Sequence, residues 1–384
     1  MRNNKHQQTG VNEELALGLL KLEDAAHPEA GVVFSPLSLS VALGLALNGS
    51  RGQTREATVR ALGFGPGRSL RGINESFGQL KDSLAEPTEL DFDMANGLVC
   101  GSELQFKPNF QNKAAQYFDA RIRLLDFNDP AAIVLMNSFV CQRTRGKVPA
   151  VVDELESTQQ EQLILLSGVS FRGPWTYGFN RLLTQAEPFQ RLDGSRSDCA
   201  LMYREGQFDY RENMHFQALK LSYGTSRRFS MYVFLPRAEG EFGLKRMFDA
   251  IEQEGLSKCF SRFAAANGKL FLPRFKLSYG SVLNDSLRQL GLGELFDQSM
   301  HPDLASMTRK RSPQMVTLKQ KTVVEVSEDG ADDAPAEKSG VIGMLLREPS
   351  EFVFSANRPF CFFVRDEQNG TLTLAGIVKN PSLK

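Results

Sequence analysis

Apolar residues recur at helical spacing through the first third of the chain. Leu15, Leu19 and Leu22 fall on one face of a helix, and an almost wholly apolar stretch runs from Ser38 to Asn48. A third helical pattern covers Thr54 to Leu62 and ends at a glycine, a common residue just after a helix. The pattern therefore predicts helices in this part of the chain.

From about residue 160 the apolar residues recur with a period of two, which is typical of strands. Phe229, Met231, Val233 and Leu235 alternate with the residues between them. Further strand candidates are Leu270 to Leu277, Thr322 to Ser327, Cys361 to Arg365 and Thr371 to Val378. Asn369-Gly370, between the last two candidates, predicts a tight hairpin because both residues tolerate positive φ.

Helices first and strands later predict an α+β fold, with helices packed on large mixed or antiparallel sheets. The 28 phenylalanines would fill a sizeable core. Hydrophobic residues make up 41% of the 384 residues, and neither a linker nor a run of like charge divides the chain. Because one large sheet can organise a chain of this length, we expect a single domain over residues 1–384.

The balance of positive and negative residues excludes partners that bind through a large net charge on the protein. Lys plus Arg equals Asp plus Glu at 45 each, so we expect neither nucleic acid nor a membrane as a partner. Two small basic groups could still bind a sulfated polysaccharide: Arg143/Arg145/Lys147 and Arg309/Lys310/Arg311. Such groups are more often the solvated ends of helices or loops.

The first residues contain neither the apolar core of a signal peptide nor a segment long enough to span a membrane. We expect an extracellular protein if a signal peptide has been removed, with a cytoplasmic protein as the alternative. We also expect a monomer.

Cysteines and histidines show no catalytic or metal-binding spacing. The chain has four histidines and five distant cysteines, Cys100, Cys141, Cys199, Cys259 and Cys361, without a Cys-x-x-Cys pair. Nucleophile-elbow, phosphate-loop and His-Glu-x-x-His motifs are missing from the sequence. We therefore expect no metal, no cofactor and no enzymatic activity, and we expect most of the cysteines to be buried thiols.

One long segment, Glu328 to Glu351, lies between two predicted strands and has no regular period of its own. Connections of this length inside a compact domain are usually functional or disordered. The first half is acidic, whereas Val341 to Leu346 is an apolar run. An exposed apolar run is an interaction site or an aggregation liability, and the alternative is that it packs back on the body of the protein.

Six groups of residues, in order along the chain, resemble motifs of the serpin family. They are Phe34-Ser35-Pro36-Leu37-Ser38 with Gly49-Ser50-Arg51-Gly52-Gln53-Thr54, then Thr144-Arg145-Gly146-Lys147, Phe171-Arg172-Gly173-Pro174-Trp175, Leu272-Pro273-Arg274-Phe275, Asp303-Leu304 with Met307, and Asn357-Arg358-Pro359-Phe360 with Gly376-Ile377-Val378-Lys379-Asn380-Pro381. The resemblance implies the serpin fold, in which helices pack on large mixed β-sheets and a reactive-centre loop, here about residues 328–351, is exposed.

The resemblance also implies that this loop is bait for a serine protease. Glu328-Asp329-Gly330 corresponds to the start of the family's hinge, and the usual count from that glycine puts the bait bond between Met344 and Leu345. A methionine in an apolar run implies chymotrypsin-like or elastase-like proteases. Arg347 is the runner-up, and it would attract trypsin-like enzymes. In the family, the cut loop inserts into the main sheet and traps the protease before water releases it.

The hinge departs from the small residues that inhibitory serpins carry. With a period of two, the residues on the face that the family turns toward its core are Ala331, Asp333, Pro335, Glu337 and Ser339. An unpaired buried carboxyl group costs several kcal/mol, and proline loses a ladder hydrogen bond. We therefore expect weak or substrate-like inhibition. The alternative is a non-inhibitory serpin that acts as a binding, carrier or signalling protein.

Two further sites follow from the resemblance. The residues that match the family's shutter are Ser35, Ser38, Ser167 and Gln320, and those that match its breach are Trp175, Arg274 and Glu328. Ser167 and Gln320 stand where the family usually has asparagine and histidine. Both replacements remain polar, so they could still bond to each other. Glu328 and Arg274 match a family pair that holds the top of the sheet.

Overall fold

The computed structural model describes residues 13–65, 67–155, 159, 161–310, 312–330 and 350–382. The α-helices in these ranges are α1 (Glu13–Ala26), α2 (Pro36–Gly49), α3 (Gly52–Ala61), α4 (Leu70–Leu84), α5 (Pro108–Phe118), α6 (Ala131–Arg143), α7 (Gly240–Glu254), α8 (Leu256–Cys259), α9 (Asn284–Leu287) and α10 (Gly293–Phe296). The first three coincide with the helices predicted from apolar spacing, which confirms those predictions, although α3 ends at Ala61, one residue before the predicted end.

The strands of the described residues form two sheets. They are β1 (Val32–Phe34), β2 (Asp91–Gly101), β3 (Arg121–Leu125), β4 (Gln162–Arg172), β5 (Gln185–Gln190), β6 (Arg196–Glu212), β7 (Phe216–Tyr223), β8 (Phe229–Pro236), β9 (Ala264–Pro273), β10 (Phe275–Val282), β11 (Met315–Val326), β12 (Phe352–Ser355), β13 (Phe360–Asp366) and β14 (Leu372–Val378). The five-stranded sheet has the order β10-β11-β4-β2-β3. The nine-stranded sheet has the order β1-β14-β13-β8-β7-β6-β9-β12, with β5 paired to β6. Parallel and antiparallel pairs occur in both sheets, so the prediction of large mixed sheets is confirmed.

Helix α2 lies in the core because it is apolar on every side. Ser35 caps the helix by accepting the N–H of Ser38 at 3.1 Å, and Pro36 occupies its first turn. Every residue of the helix is buried, between α5 and strands of both sheets. A helix without a polar face is stable only when it is enclosed in this way. Burial of α2 therefore joins the five-stranded sheet to the nine-stranded sheet.

Strand β8 is buried along its whole length, which the alternating sequence pattern did not indicate. Met231 and Val233 belong to the main core, while Tyr232 and Phe234 pack against Phe260, with ring centroids 4.6 and 6.3 Å apart. Phe260 directly follows α8, so this segment covers the face that would otherwise meet solvent. A strand buried on both faces reads as a continuous apolar run, as β8 largely does.

The single strand predicted over Leu270 to Leu277 is wrong, because the chain changes sheets in the middle of it. Strand β9 ends at Pro273 in the nine-stranded sheet, and β10 begins at Phe275 in the five-stranded sheet. Between them, the N–H of Arg274 donates to the carbonyl of Ala200 at 2.8 Å. Apolar residues continue on both sides of the corner because both strands pack on the shared core, but the core-facing positions change phase, from Leu270 and Leu272 to Phe275 and Leu277.

The predicted order of helices first and strands later is also only partly right. Strands β2 and β3 lie in the first third of the chain, and the amphipathic helix α7 lies among the later strands. Strand β2 contains Asn96 and Gly97, two residue types that are depleted in strands, so its sequence gives a weak strand signal. Its pairing with β4 from Asp91 to Cys100 overrides that local preference.

Two glycines let helix α6 approach the five-stranded sheet closely. A Cβ atom at Gly168 on β4 would lie 2.2 Å from Cγ1 of Val140, and one at Gly97 on β2 would lie 2.7 Å from Cε1 of Phe139. Val140 and Phe139 are buried on the face of α6 that meets the sheet. The glycines therefore form a flat patch on which the helix packs, and α6 covers the face of β4 opposite the main core.

We predict that Gly168→Ala lowers the free energy of unfolding by about 1–3 kcal/mol, because the added methyl group overlaps Val140. Denaturant unfolding followed by circular dichroism measures the loss. The double variant Gly168→Ala/Val140→Ala should recover part of the stability relative to the sum of the two single changes. Strictly additive losses would show that the close approach of α6 does not limit the packing here.

Candidate functional site

The candidate site lies along the seam between β4 and β11 and at its end, where the chain leads into residues 331–349. The two strands run parallel, from Met315 opposite Gln162 to Glu325 opposite Arg172. Seven residues of the predicted site lie outside the described residues: Ala331, Asp333, Pro335, Glu337, Met344, Leu345 and Arg347. The shutter and breach residues, with Gly330, lie within the described part of the chain.

The predicted shutter residues form a directed chain of hydrogen bonds across the middle of the five-stranded sheet. Gln320 Nε2 donates to Ser167 Oγ at 2.9 Å, and Ser38 Oγ donates to Asn96 Oδ1 at 2.6 Å. The 2.7 Å bond between the hydroxyls of Ser167 and Ser38 is then donated by Ser167, because Ser38 has only one hydroxyl proton. Gln320 Oε1 accepts the N–H of Ser35 at 2.9 Å.

The residues of this hydrogen-bonded row are positioned by strand register and by the start of α2. Asn96 on β2 and Gln320 on β11 both lie opposite Ser167 on β4, so the three side chains form a row across adjacent strands. Ser35 and Ser38 reach the row from the start of α2. All are at most 5% exposed, and an unbonded polar group at this depth would cost about 1–3 kcal/mol. Ser167 and Gln320, which replace asparagine and histidine, thus bond to each other and to the serines at the start of α2.

Trp175 holds the main chain that follows β11. Its indole Nε1 donates to the carbonyl of Ser327 at 2.8 Å, and its main-chain N–H donates to the carbonyl of Asp329 at 2.9 Å. The ring is 2% exposed and stacks on Tyr223, with centroids 4.4 Å apart. Tyr223 ends β7, so Trp175 connects the nine-stranded sheet to the end of the seam.

Gly178 allows a second close contact at the same place. A Cβ atom there would lie 2.8 Å from the main-chain nitrogen of Gly330. The N–H of Phe179, one residue later, donates to the carbonyl of Glu328 at 2.9 Å. The segment after Trp175 therefore contacts Glu328 and Gly330 through its own backbone.

The predicted pair of Glu328 and Arg274 is brought together by the fold. Arg274 Nη1 lies 3.6 Å from Glu328 Oε1, and the same oxygen accepts the hydroxyl of Thr184 at 2.9 Å. Glu328 is 5% exposed, whereas the side chain of Arg274 is 43% exposed. Of the two contacts to Glu328, the hydrogen bond from Thr184 is the shorter, and the half-exposed arginine adds a longer electrostatic contact.

Asp329 forms a second electrostatic contact that the sequence reasoning missed. Its carboxylate accepts hydrogen bonds from Arg181 and from Arg172 Nη2, the latter at 2.6 Å. Arg181 begins a short 3₁₀ helix. Arg172 is the last residue of β4, so this contact closes the end of the seam. The hydrogen bond from Arg181, followed by that from Arg172, outweighs partial burial and lowers the pKa of Asp329.

The basic groups considered for polysaccharide binding are partly neutralised. Arg143 pairs with Asp119, while Arg145 and Lys147 both contact Asp91 and Asp93. In the second group, Arg309 and Lys310 are exposed, and Arg311 lies outside the described residues. The ion pairs reduce the field that the first group offers to a polyanion, and polysaccharide binding stays a prediction.

The cysteines behave as predicted from their spacing. Four are buried and Cys141 is half-buried, and none forms a disulfide. Burial raises the pKa of Cys199 to about 11 and that of Cys259 to about 12, so these thiols are protonated at neutral pH. Within the ranges that the structure describes, no three His, Cys, Asp or Glu residues cluster as metal ligands would. No helix among these residues is long and apolar enough to cross a bilayer.

Other members of the site gave little sequence signal. Asn96 interrupts an apolar run, which marks it as unusual, but nothing local indicates a partner 71 positions away at Ser167. Arg181 and Thr184 lie in a polar stretch around a short 3₁₀ helix and look like ordinary surface residues. Their roles depend on contacts with Glu328 and Asp329, which are distant in sequence.

The fold and these motifs agree with comparison to known sequences. The model of the serpin (serine protease inhibitor) family matches residues 10–381. The chain therefore belongs to the serpin family. This membership agrees with the expectation that the protein is not an enzyme.

Two cereal serpins are similar to the chain over nearly its whole length. Serpin-Z2A of Triticum aestivum is 33% identical over 372 residues, covering 93% of this chain and 92% of that protein. Serpin-ZXA of Oryza sativa subsp. japonica is 32% identical over 381 residues, covering 94% of each.

Two solved structures share the fold. Human thyroxine-binding globulin in complex with thyroxine has a TM-score of 0.86 at 21% identity, covering 99% of this chain and 100% of that chain. A tumour suppressing serpin has a TM-score of 0.84 at 20% identity, covering 98% and 100%. At these identities the likeness establishes the serpin fold and carries nothing about ligands or targets.

We predict that Asp329→Asn lowers the melting temperature modestly above pH 5, because ion pairs this exposed contribute at most about 1 kcal/mol. The pKa of Asp329 is lower in the folded chain than its unfolded value of about 3.9. Its contribution is therefore present above the unfolded pKa and is lost as the pH falls through the folded pKa. The difference in melting temperature between wild type and variant should be constant from about pH 5 to 8 and shrink below about pH 4.

Differential scanning calorimetry across this pH range measures that difference. Asp198→Asn, a change to an exposed carboxylate on β6, is the control and should show a smaller effect. A wild-type advantage that persists unchanged at the acid end would show that the difference does not come from the negative charge of Asp329.

Proposed function

We propose that the protein presents the Met344–Leu345 bond to chymotrypsin-like or elastase-like serine proteases and is cleaved more often than it traps them. The observation that carries this proposal is the position of the loop in the chain. Residues 331–349 connect Gly330, at the end of the β4–β11 seam, to β12 at the edge of the nine-stranded sheet. Family membership supports the role of protease bait for such a loop.

Inhibition in this family requires the cut loop to enter the main sheet as a new strand before water releases the protease. In this chain the new strand would separate β4 from β11. Its entry would break the backbone hydrogen bonds between the two strands, the bond between Ser167 and Gln320, and the contacts of Arg172 with Asp329. Each of these bonds has a net value of about 0.5–1.5 kcal/mol, which is a modest barrier that a new strand offsets with its own hydrogen bonds.

The hinge residues oppose entry more strongly than the seam does. Asp333 and Glu337 would each place a carboxyl group in the core, at several kcal/mol unless a partner or a proton accompanies it. Pro335 would remove a ladder hydrogen bond, at about 3 kcal/mol by analogy with a helix interior. Each ~1.4 kcal/mol felt at the barrier slows entry tenfold, so ~3 kcal/mol favours hydrolysis about a hundredfold.

A second candidate function is non-inhibitory binding, carriage or signalling, with the loop merely cut. The same hinge residues favour it, because a protein that never inserts its loop has no need of small residues there. The two candidates differ in one observable property, which is whether any protease becomes covalently trapped. A denaturing gel after mixing with chymotrypsin separates a band at the summed mass from simple clipping.

We predict that limited chymotrypsin digestion cuts the wild type after Met344, and that Met344→Arg shifts cleavage toward trypsin and slows chymotrypsin. The reason is that the bait residue fills the specificity pocket of the protease. Mass spectrometry of the released carboxyl-terminal fragment identifies the cut bond. Wild-type cleavage mainly after Arg347 would move the register of the loop by three residues, and first cuts outside residues 340–347 would refute the loop as bait.

We predict that Asp333→Ala/Pro335→Ala/Glu337→Thr increases the fraction of protease trapped covalently and raises the melting temperature of the cleaved form. These changes restore small, strand-compatible residues on the face that enters the core. The initial rate of attack should change little, because Met344 and its neighbours are untouched.

Asp332→Ala/Lys338→Ala is the matched control, because these residues fall on the opposite face of the inserted strand. It should leave trapping unchanged. A near one-to-one covalent complex in the wild type, or a large rise in its melting temperature after cleavage, would show that the sheet accepts the native hinge. The protein would then be an efficient inhibitor.

A further inference from the structure

A cavity of about 240 Å³ opens between helix α4 and the hairpin that joins β13 to β14. Phe64, Phe77 and Leu80 form the apolar part of its wall. A dry cavity of about 150 Å³ is enough to hold a benzene ring, so this one has room for two fused aromatic rings. The described residues that line it include none from the β4–β11 seam.

The walls of this cavity are preformed. Phe77 meets Phe64 edge-on, with ring centroids 6.3 Å apart. Arg228 connects the two sides: its Nη2 donates to the carbonyl of Ser83 on α4 at 2.9 Å and to the carboxylate of Asp366 on β13 at 2.8 Å. A ligand therefore meets surfaces that need little reordering, which favours binding.

The cavity exists because α4 has small side chains where it faces the hairpin. Ser76, Leu80 and Ser83 share one face of the helix, and all three line the cavity. A helix face that packs on the body of a protein usually carries large apolar residues, and protein interiors leave few voids larger than a water molecule. The two serines thus leave space that larger apolar side chains would have filled.

The surroundings of the cavity favour a neutral ligand. None of the described residues that line it carries a charge. Arg228 borders it, but Asp366 at 2.8 Å and Glu86 at 3.0 Å neutralise that arginine. The guanidinium carbon of Arg68 lies 5.2 Å from the ring centroid of Phe64, but Arg68 is exposed to solvent and is not a lining residue. An ion that entered would lose its hydration without gaining a buried counterion.

Neutral polar groups at the wall are available to a ligand. Gln79 and Gln368 are exposed at the edge of the cavity, and Thr371 is half-buried. Their carboxamides and hydroxyl form no hydrogen bond with any other residue that the structure describes. They can therefore donate to or accept from a hydroxyl or amide group without breaking an existing bond.

We propose that this cavity binds a small neutral molecule with two fused aromatic rings and one hydroxyl or amide group. The rings would contact Phe64, Phe77 and Leu80, and the polar group would face Thr371 and the glutamines at the edge. A single ring would leave part of the cavity unfilled, and a charged group would have no counterion. The proposal does not depend on whether the protein inhibits proteases.

2-Naphthol is the test ligand, and the full chain in its uncleaved form is the protein. The fluorescence anisotropy of the naphthol, measured while protein is added, reports binding. We expect saturation with a dissociation constant of about 1 mM or below. Isothermal titration calorimetry compares this ligand with its analogues. 2-Naphthoate and 2-naphthylmethylamine should bind at least about tenfold more weakly because each carries a charge, and phenol about fivefold more weakly because it buries less apolar surface.

Two variants locate the site. Ser76→Leu fills the cavity from α4 and should weaken 2-naphthol binding at least about tenfold. Ser138→Leu is the matched control, because Ser138 is an exposed serine on helix α6, and it should leave binding unchanged. Gln79→Phe places a ring at the edge of the cavity from an exposed position, so it should fold normally and should also weaken binding.

Circular dichroism checks that each variant is folded, and Gln79→Phe decides the question if Ser76→Leu is not. Absence of a 2-naphthol response up to about 10 mM would overturn the proposal. Binding of 2-naphthoate that equals or exceeds that of 2-naphthol would overturn it as well, since an anion site would then be present. Equal binding of phenol would refute the two-ring ligand, and binding that survives both cavity variants would refute the site.

Discussion

The register between β4 and β11 is the constraint on which the rest of the structure depends. It places Gln320 opposite Ser167 and brings Arg172 to the carboxylate of Asp329. It also positions the carbonyl of Ser327 to accept the indole N–H of Trp175. A slip of one residue would turn every side chain of β11 to the other face, burying Lys319 and Lys321 in the main core. The shutter row and the contacts at Trp175 are thus two consequences of one pairing.

The contacts along this seam differ in strength in a way that matters for its opening. The row through Gln320 and Ser167 is buried, and none of its side-chain atoms is among the buried polar atoms without a hydrogen-bond partner, so removal of one member leaves its partner unsatisfied. The arginines at Asp329 are half-exposed or more, and ion pairs in such positions contribute little. The middle of the seam is therefore more firmly closed than its end, and opening at Asp329 is the easier first step.

Much of the fold could be predicted from the sequence, because local patterns determined it. The three early helices follow from spacing within a few residues, and so does the hairpin between β13 and β14, although its loop spans residues 367–370 and only Gly370 has positive φ. The corner at Arg274 was not found in this way, since apolar residues lie on both sides of it and its only local mark is a shift by one position in the core-facing residues. Strand β2 was missed for the opposite reason, because its pairing with β4 overrides a composition unfavourable to strands.

The residues of the candidate site also differ in whether the sequence alone could reveal them. Motifs that resemble the family gave the shutter and breach positions, and the structure brings those residues into contact. Asn96, Thr184 and Arg181 were missed because their roles exist only through partners far away in sequence.

The shared serpin fold cannot by itself decide between inhibition and mere cleavage. Thyroxine-binding globulin, with a name that states a binding role, has nearly the same fold at 21% identity. The difference between the two outcomes is a ratio of rates, and a few kcal/mol at one barrier changes that ratio a hundredfold or more. Changes of that size need only two or three hinge residues, while several hundred others maintain the fold. The acids and the proline of the hinge therefore carry more functional information than the overall similarity of the chain to its relatives.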